Sequence, residues 1–266
     1  MKKQRTHTLA AFVLLFSVLT VSLPSAVAVQ VTADDLYLGF YDEAREAEAM
    51  MEIPFTDIAD CSRLYISHIK YLFDEGVMNG TGDNTFSPDA SFTRAMFVTM
   101  LGRMQGIDPR SYPGTSFTDV PEGRWDTPYI NWAVENGIVN GVGNNKFNPT
   151  GAIRQQEYAA IVSRYLYALG IGFQGEISGP WTGEIIDLSE ADEYARDALA
   201  ELASYGLISV YGVEGDGAWG VDPKDTLTRA GIAKQFGDLH YLLTHDEDLT
   251  IFATINDDVI VHTVWP

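Results

Sequence analysis

Reactive residue types are scarce in this 266-residue chain. It holds one cysteine, Cys61, five histidines, and 17 basic residues against 37 acidic ones. A single thiol excludes an intrachain disulfide in any compartment. His68, His240, His245 and His262 have no acid at a spacing that would bind zinc. Asp83 and Asp216 sit in glycine loops, Gly82-Asp83-Asn84 and Gly215-Asp216-Gly217, that lack the carboxylate series of a calcium loop. With 37 acids, any carboxylate pair such as Asp57 with Asp119 is uninformative. These absences give no basis for a catalytic residue, a metal or a cofactor. A net charge of −20 opposes contact with nucleic acid and anionic lipid, because each phosphate would be met against the prevailing field.

Long apolar runs are also missing, with one exception. Met1-Lys2-Lys3-Gln4-Arg5 precedes an apolar stretch from Leu9 to Leu23, which ends in Pro24-Ser25-Ala26-Val27-Ala28. This order reads as a secretory signal peptide over residues 1–28, cut after Ala28. The run is short of the roughly 20 apolar residues that a spanning helix needs. Cleavage would leave 14 basic against 37 acidic residues, a net charge of −23. The mature chain is therefore expected to be secreted, soluble and free of membrane insertion.

What the chain does have is a repeat. Gly76-Val77-Met78-Asn79-Gly80-Thr81-Gly82-Asp83-Asn84-Thr85-Phe86-Ser87-Pro88 returns 61 positions later as Gly137-Ile138-Val139-Asn140-Gly141-Val142-Gly143-Asn144-Asn145-Lys146-Phe147-Asn148-Pro149. A looser copy runs from Gly206 to Pro223 with five extra residues. Repetition at a fixed period dictates architecture ahead of any single motif.

Each copy reads as helix, glycine loop, helix. In the second, Tyr129, Ile130, Ala133 and Val134 recur three or four apart, and Gly137 supplies a C-terminal cap. Tyr158, Ile161, Val162, Tyr165 and Leu166 give the following helix its apolar stripe. Aligned on the loop glycine, Leu64, Trp125 and Tyr194 share one position, and Ile69, Ile130 and Leu199 another. Helix pairs with one greasy side each bury it most simply against one another. The expected fold is all-α, with three helix-loop-helix repeats in a pseudo-threefold, three-pronged arrangement. Each loop joins the two helices of one prong. The repeats are placed at residues 54–112, 113–174 and 183–243, after an acidic linker or short helix at 29–53.

The second helices begin Thr93-Arg94-Ala95-Met96, Arg154-Gln155-Gln156-Glu157 and Thr228-Arg229-Ala230-Gly231, each five residues past its proline. With the openings Phe55-Thr56-Asp57 and Phe117-Thr118-Asp119, this resembles the S-layer homology (SLH) domain family, whose members carry three repeats with a Thr-Arg-Ala-Glu motif. The resemblance implies a bacterial surface of Gram-positive type. It also implies a non-catalytic grip on secondary cell-wall polysaccharide, often pyruvylated, in grooves between prongs. No repeat here keeps the full motif, since Met96 and Gly231 replace the glutamate and Arg154 and Gln155 replace threonine and arginine.

Thr-x-x-Glu at a helix start is also a capping box, so those two residue types need no ligand. An arginine there opposes the helix dipole. Beside free helix N–H groups it can seat an anion, or it can form a structural salt bridge to an acid such as Asp57 or Asp187. Arg94 and Arg229 are the leading glycan-binding candidates, with Gln155 and Arg154 as their counterparts in the second repeat. Replacing Arg94 and Arg229 by alanine is expected to abolish wall retention without unfolding. The loop residues Gly82, Asp83, Gly143 and Asn144 offer polar contacts for sugar hydroxyls, or serve the turn alone. Trp125 and Tyr194 either stack on a sugar or fill core positions.

In the tail, residues 244–266, two β-prone runs flank Asn256-Asp257-Asp258 and read as a hairpin. An isolated hairpin is marginal in water, so it is expected to dock or to engage a protein partner. The alternative to sugar binding is a structural envelope protein that uses the same scaffold for protein contacts.

Overall fold

Three hydrogen bonds between helix starts organise this fold. In a computed structural model, which describes residues 53–114, 117–171, 185–204, 206–213, 218–245, 250–255 and 258–263, the body is mostly helical, as the periodicity implies. The expected signal peptide, residues 1–28, and nearly all of the expected linker or short helix at 29–53 lie outside the described residues. The helices are α1 (Arg63–Asp74), α2 (Arg94–Met104), α3 (Thr127–Glu135), α4 (Gln155–Ala168), α5 (Glu193–Ser204) and α6 (Arg229–His245). No described helix is long and apolar enough to cross a membrane.

The residues just before α2, α4 and α6 form a closed ring. Phe92 N–H donates to Leu227 C=O (3.0 Å), Leu227 N–H to Ile153 C=O (2.8 Å), and Ile153 N–H to Phe92 C=O (2.8 Å). Each link joins two different helix pairs, so no pair completes its backbone bonding alone. Below the ring, Phe97, Tyr158 and Phe236 meet in the core, with Phe97 centred 5.1 Å from Tyr158 and 5.8 Å from Phe236.

Packing partners are exchanged along the chain. The first helix of each copy packs on the second helix of another: α3 on α2, α5 on α4, and α1 on α6. The α1–α6 contact carries a bond from His68 Nε2 to Asp238 (2.9 Å) and one between Tyr71 Oη and His240 Nδ1 (2.8 Å). This corrects the expectation that the glycine loop joins two helices of one prong. The loop instead crosses from one packed pair to the next. The backbone bonds give the physical reason: the start of α2 donates to Gly151 and Pro149 of the second loop, and the start of α6 to Ala90 and Pro88 of the first, so each helix start is held by a different unit.

The loops are held by carboxylates. Asp57 accepts the N–H groups of Phe86 and Ser87, both at 2.8 Å, and Asp119 accepts those of Phe147 and Asn148 at the same distances. Asp187 does the same for Val221 and Asp222. Ser87, Asn148 and Asp222 precede the three prolines with positive φ, a costly backbone that these bonds stabilise. Partial desolvation pushes the Asp57 and Asp119 carboxyls up, but the backbone donors together outweigh it and hold both below their usual range. Asp57 and Asp187 are therefore loop clasps, and among the described residues neither forms the salt bridge to an arginine that was one of the two alternatives.

Gly80 and Gly141 show why the loops match so closely. A β-carbon on Gly80 would lie 2.6 Å from the Thr85 carbonyl oxygen and 2.7 Å from the Phe55 ring. On Gly141 it would meet Lys146 and Phe117 at 2.7 Å each. The longer third loop contains a two-stranded ribbon, β1 (Tyr211–Val213) with β2 (Ala218–Gly220). In the tail, β3 (Thr250–Ile255) and β4 (Asp258–Thr263) form the expected antiparallel hairpin.

Candidate functional site

A groove of about 460 Å³ opens where α2, the second loop, α4 and α5 meet. Arg94 from the start of α2 forms its floor, and Asn140 to Val142 of the second loop form one rim. Arg154, Glu157, Ile161 and Arg164 line the α4 wall, at intervals of three, four and three residues along one helix face. Asp192 and Tyr194, at the start of α5, close the far side.

Arg94 is only 5% exposed. Its Nε donates to the Phe147 carbonyl (3.1 Å), its Nη2 to the Asn140 carbonyl (3.2 Å) and its Nη1 to Glu157 Oε1 (3.2 Å). The guanidinium also stacks over the Phe147 ring at 4.8 Å. Burial pulls its pKa down, and Glu157 opposes that shift. The acid that pairs with Arg94 is thus Glu157 of the neighbouring helix. Glu157 also accepts the Arg154 backbone N–H at 3.0 Å, the capping half of its role.

The helix N–H groups are not free. Arg94 N–H donates to Gly151 C=O, Ala95 N–H to Pro149 C=O and Met96 N–H to Thr93 Oγ1. At α6, Arg229, Ala230 and Gly231 donate in the same way to Ala90, Pro88 and Thr228 Oγ1. The expected seat of open amides beside an arginine is therefore filled by the protein itself. The ring brings carbonyls of the next loop onto each helix start, and this satisfies donors that would otherwise be orphaned.

The remaining candidates separate. Arg154 lies in the groove, 37% exposed at its side chain, 3.4 Å from Glu157 Oε2. Gln155 is 3% exposed and turned into the hub, where its amide exchanges hydrogen bonds with Gln235 at 3.3 and 3.1 Å. Gly143 and Asn144 sit exposed at the loop tip and do not line this groove; Gly82 and Asp83 take the same place on the first loop. Trp125 is 54% exposed, outside this groove and just ahead of α3. Tyr194 is 51% exposed and does line the groove. Their shared position is a surface position, whereas Ile69, Ile130 and Leu199 are core.

Tyr194 is held in place from behind. Gln156 Nε2 donates to Asp192 Oδ2 (2.6 Å) and to Tyr194 Oη (3.3 Å), while Gln156 Oε1 accepts the Asp192 N–H (3.0 Å). Lys224 pairs with the other oxygen of Asp192 at 2.5 Å. A fixed aromatic face opposite arginines can stack on a ring and pair with an anion. Arg164 was not singled out from the sequence. Its signal was its spacing, three residues past Ile161 and ten past Arg154. Among the described residues, no group of three or more His, Cys, Asp or Glu side chains could hold a metal ion.

The family model for the S-layer homology domain matches residues 54–96 and 116–159. These segments take in the first two loops and the starts of α2 and α4. The chain is 37% identical to a cell surface protein of Thermoanaerobacter kivui over 117 residues, 42% of this chain and 15% of that protein. It is 33% identical to an endoglucanase of Bacillus sp. (strain KSM-635) over 198 residues, 73% of this chain and 19% of the relative. It is 31% identical to a cellulosome-anchoring protein of Acetivibrio thermocellus over 163 residues, 58% and 33% of the two chains. The chain thus spans between about a seventh and a third of these relatives.

Proposed function

We propose that this chain is a non-catalytic anchoring module that binds secondary cell-wall polysaccharide in the grooves between its helix pairs. The observation that carries this reading is the groove itself, where Arg154, Arg164 and Tyr194 converge on a space left between α4, α5 and the second loop. The polysaccharide is anionic, and a pyruvyl ketal is the substituent that fits the arginines. Arg94 acts from beneath as a strut that fixes the rim. The module is secreted and resides at the wall of a Gram-positive-type bacterium.

Two further observations support this. Relatives named as a surface protein, an endoglucanase and an anchoring protein share this segment, so what they have in common is better sought in attachment than in turnover. The α5–α6 unit, with its Asp187 clasp, its Thr228-Arg229 start and its link in the ring, is best read as a diverged third repeat that completes a pseudo-threefold body.

The test is sedimentation of the mature protein with purified cell walls, before and after mild acid removal of ketal-linked pyruvate. Retention that falls at least tenfold with the ketals supports the proposal. Absence of binding to either preparation overturns it in favour of a protein-contact scaffold.

A further inference from the structure

Asparagine is followed by glycine three times in this chain, at Asn79-Gly80, Asn136-Gly137 and Asn140-Gly141. The first and third stand at the same point of their loops, whereas Asn136 caps the end of α3. Asparagine is a thermolabile residue type, because its side-chain amide can react with the backbone nitrogen that follows it. A following glycine has no side chain to hinder that approach. The reaction needs the amide and the glycine nitrogen both disengaged, so the fold decides where it can run.

The two loops meet that condition. Asn79 and Asn140 are exposed, and among the described residues their side-chain amides make no hydrogen bond. The N–H groups of Gly80 and Gly141 also have no partner among the described residues, although the next residues, Thr81 and Val142, donate across the loop at 2.9 and 2.7 Å. The end of α3 does not meet it. There Gly137 N–H donates to Val134 C=O (3.0 Å), and Asn136 Nδ2 donates to Trp132 C=O (2.8 Å). Neither loop has room for a β-carbon at its glycine, so the fold keeps a glycine behind each exposed asparagine.

Both asparagines also support a buried arginine. Asn140 C=O accepts Arg94 Nη2. Asn79 C=O accepts Nη2 of Arg229 (2.6 Å), which is 7% exposed and donates from Nε to Phe86 C=O (2.7 Å). We infer that Asn79 and Asn140, and not Asn136, are sites of spontaneous deamidation that loosens the two loops. At each, the glycine nitrogen attacks the asparagine Cγ and the Cγ–Nδ2 bond breaks. Ammonia leaves with the proton that the glycine nitrogen gave up, and a succinimide ring remains. One water molecule then opens the ring, and nothing is oxidised or reduced. Attack at Cγ yields aspartate; attack at the backbone carbonyl carbon yields isoaspartate, with the chain rerouted through Cβ and Cγ. Isoaspartate lengthens the main chain just ahead of a glycine packed on Phe55 or Phe117, and it takes the carbonyl that receives the arginine out of the main chain.

The test is incubation of the full mature protein in mildly alkaline buffer, with amide-to-acid conversion and isoaspartate read at each site by peptide mass spectrometry. Asn79 and Asn140 should convert at least tenfold faster than Asn136, whose glycine nitrogen is released only by local opening. In urea-unfolded protein the three rates should converge. Asn136 converting as fast as the loop sites in the folded protein, or the loop sites as slowly as Asn136, would overturn the inference. Asn79→Gln with Asn140→Gln keeps both carbonyls but closes the ring far more slowly. After the same incubation the parent should melt at a lower temperature than before and this variant should not. An equal fall in both would refute the loosening. The site-by-site comparison within the parent decides the inference even if the variant folds poorly.

Discussion

A chain ending at residue 182 should fail to fold, although both segments that match the family model lie within it. The truncation removes α6, against which α1 packs, and leaves Ile66, Ile69 and Leu72 facing water. It also removes Phe236 from the contact with Phe97, and Leu227 from the ring that accepts Phe92 and donates to Ile153. Exposing one fully buried aliphatic or aromatic side chain costs about 1.5–3 kcal/mol. Several together exceed the roughly 5–15 kcal/mol by which a domain is stable. Circular dichroism of the fragment should show no cooperative melting transition. A fragment that melts sharply near the full-length temperature would mean that the first two copies fold independently.

Arg94→Ala is the point substitution with the largest expected loss. It removes three donors at once, from the carbonyls of Phe147 and Asn140 and from the buried Glu157 carboxylate, which keeps the part-exposed Arg154 as a cation, 3.4 Å away. Breaking a buried ion pair on one side costs about 3–5 kcal/mol, and the remaining Arg154 places this loss toward the lower end. Arg229→Ala strands two carbonyls and no carboxylate, so its loss should be smaller, about 1–3 kcal/mol. Urea unfolding of both variants should reproduce that order. Equal losses would show that the Arg94–Glu157 pair adds nothing. Both side chains are struts of the loops as well as candidate contacts, so replacing both by alanine should lower stability along with any effect on retention.

Much of this body was legible from spacing alone. The glycine caps at Gly76, Gly137 and Gly206 all have positive φ, and the core positions Ile69, Ile130 and Leu199 were marked by periodicity. The exchange of helix partners was not legible, because periodicity reports which face a helix buries and not which helix covers it. The burial of Arg94 and Arg229 was hidden for a related reason. An arginine next to a helix cap reads as surface until the loop that covers it is placed. Tyr194 and Trp125 look like core residues in the aligned copies. Trp125 precedes the first turn of α3, and Tyr194 sits in the first turn of α5, where Gln156 of α4 holds its hydroxyl while the ring faces the groove. Arg164 carried no motif, only a place on the Arg154–Glu157–Ile161 face.

The central claim is that the groove beside α4 holds wall polysaccharide, and substitutions that spare the struts test it. Tyr194 is half exposed, and Arg164 makes no hydrogen bond or ion pair among the described residues. Tyr194→Ala with Arg164→Ala should therefore leave the melting temperature nearly unchanged. In sedimentation with purified walls, the account predicts that this double variant loses at least tenfold in retention relative to the parent protein. Retention equal to that of the parent, with the fold intact, would contradict it.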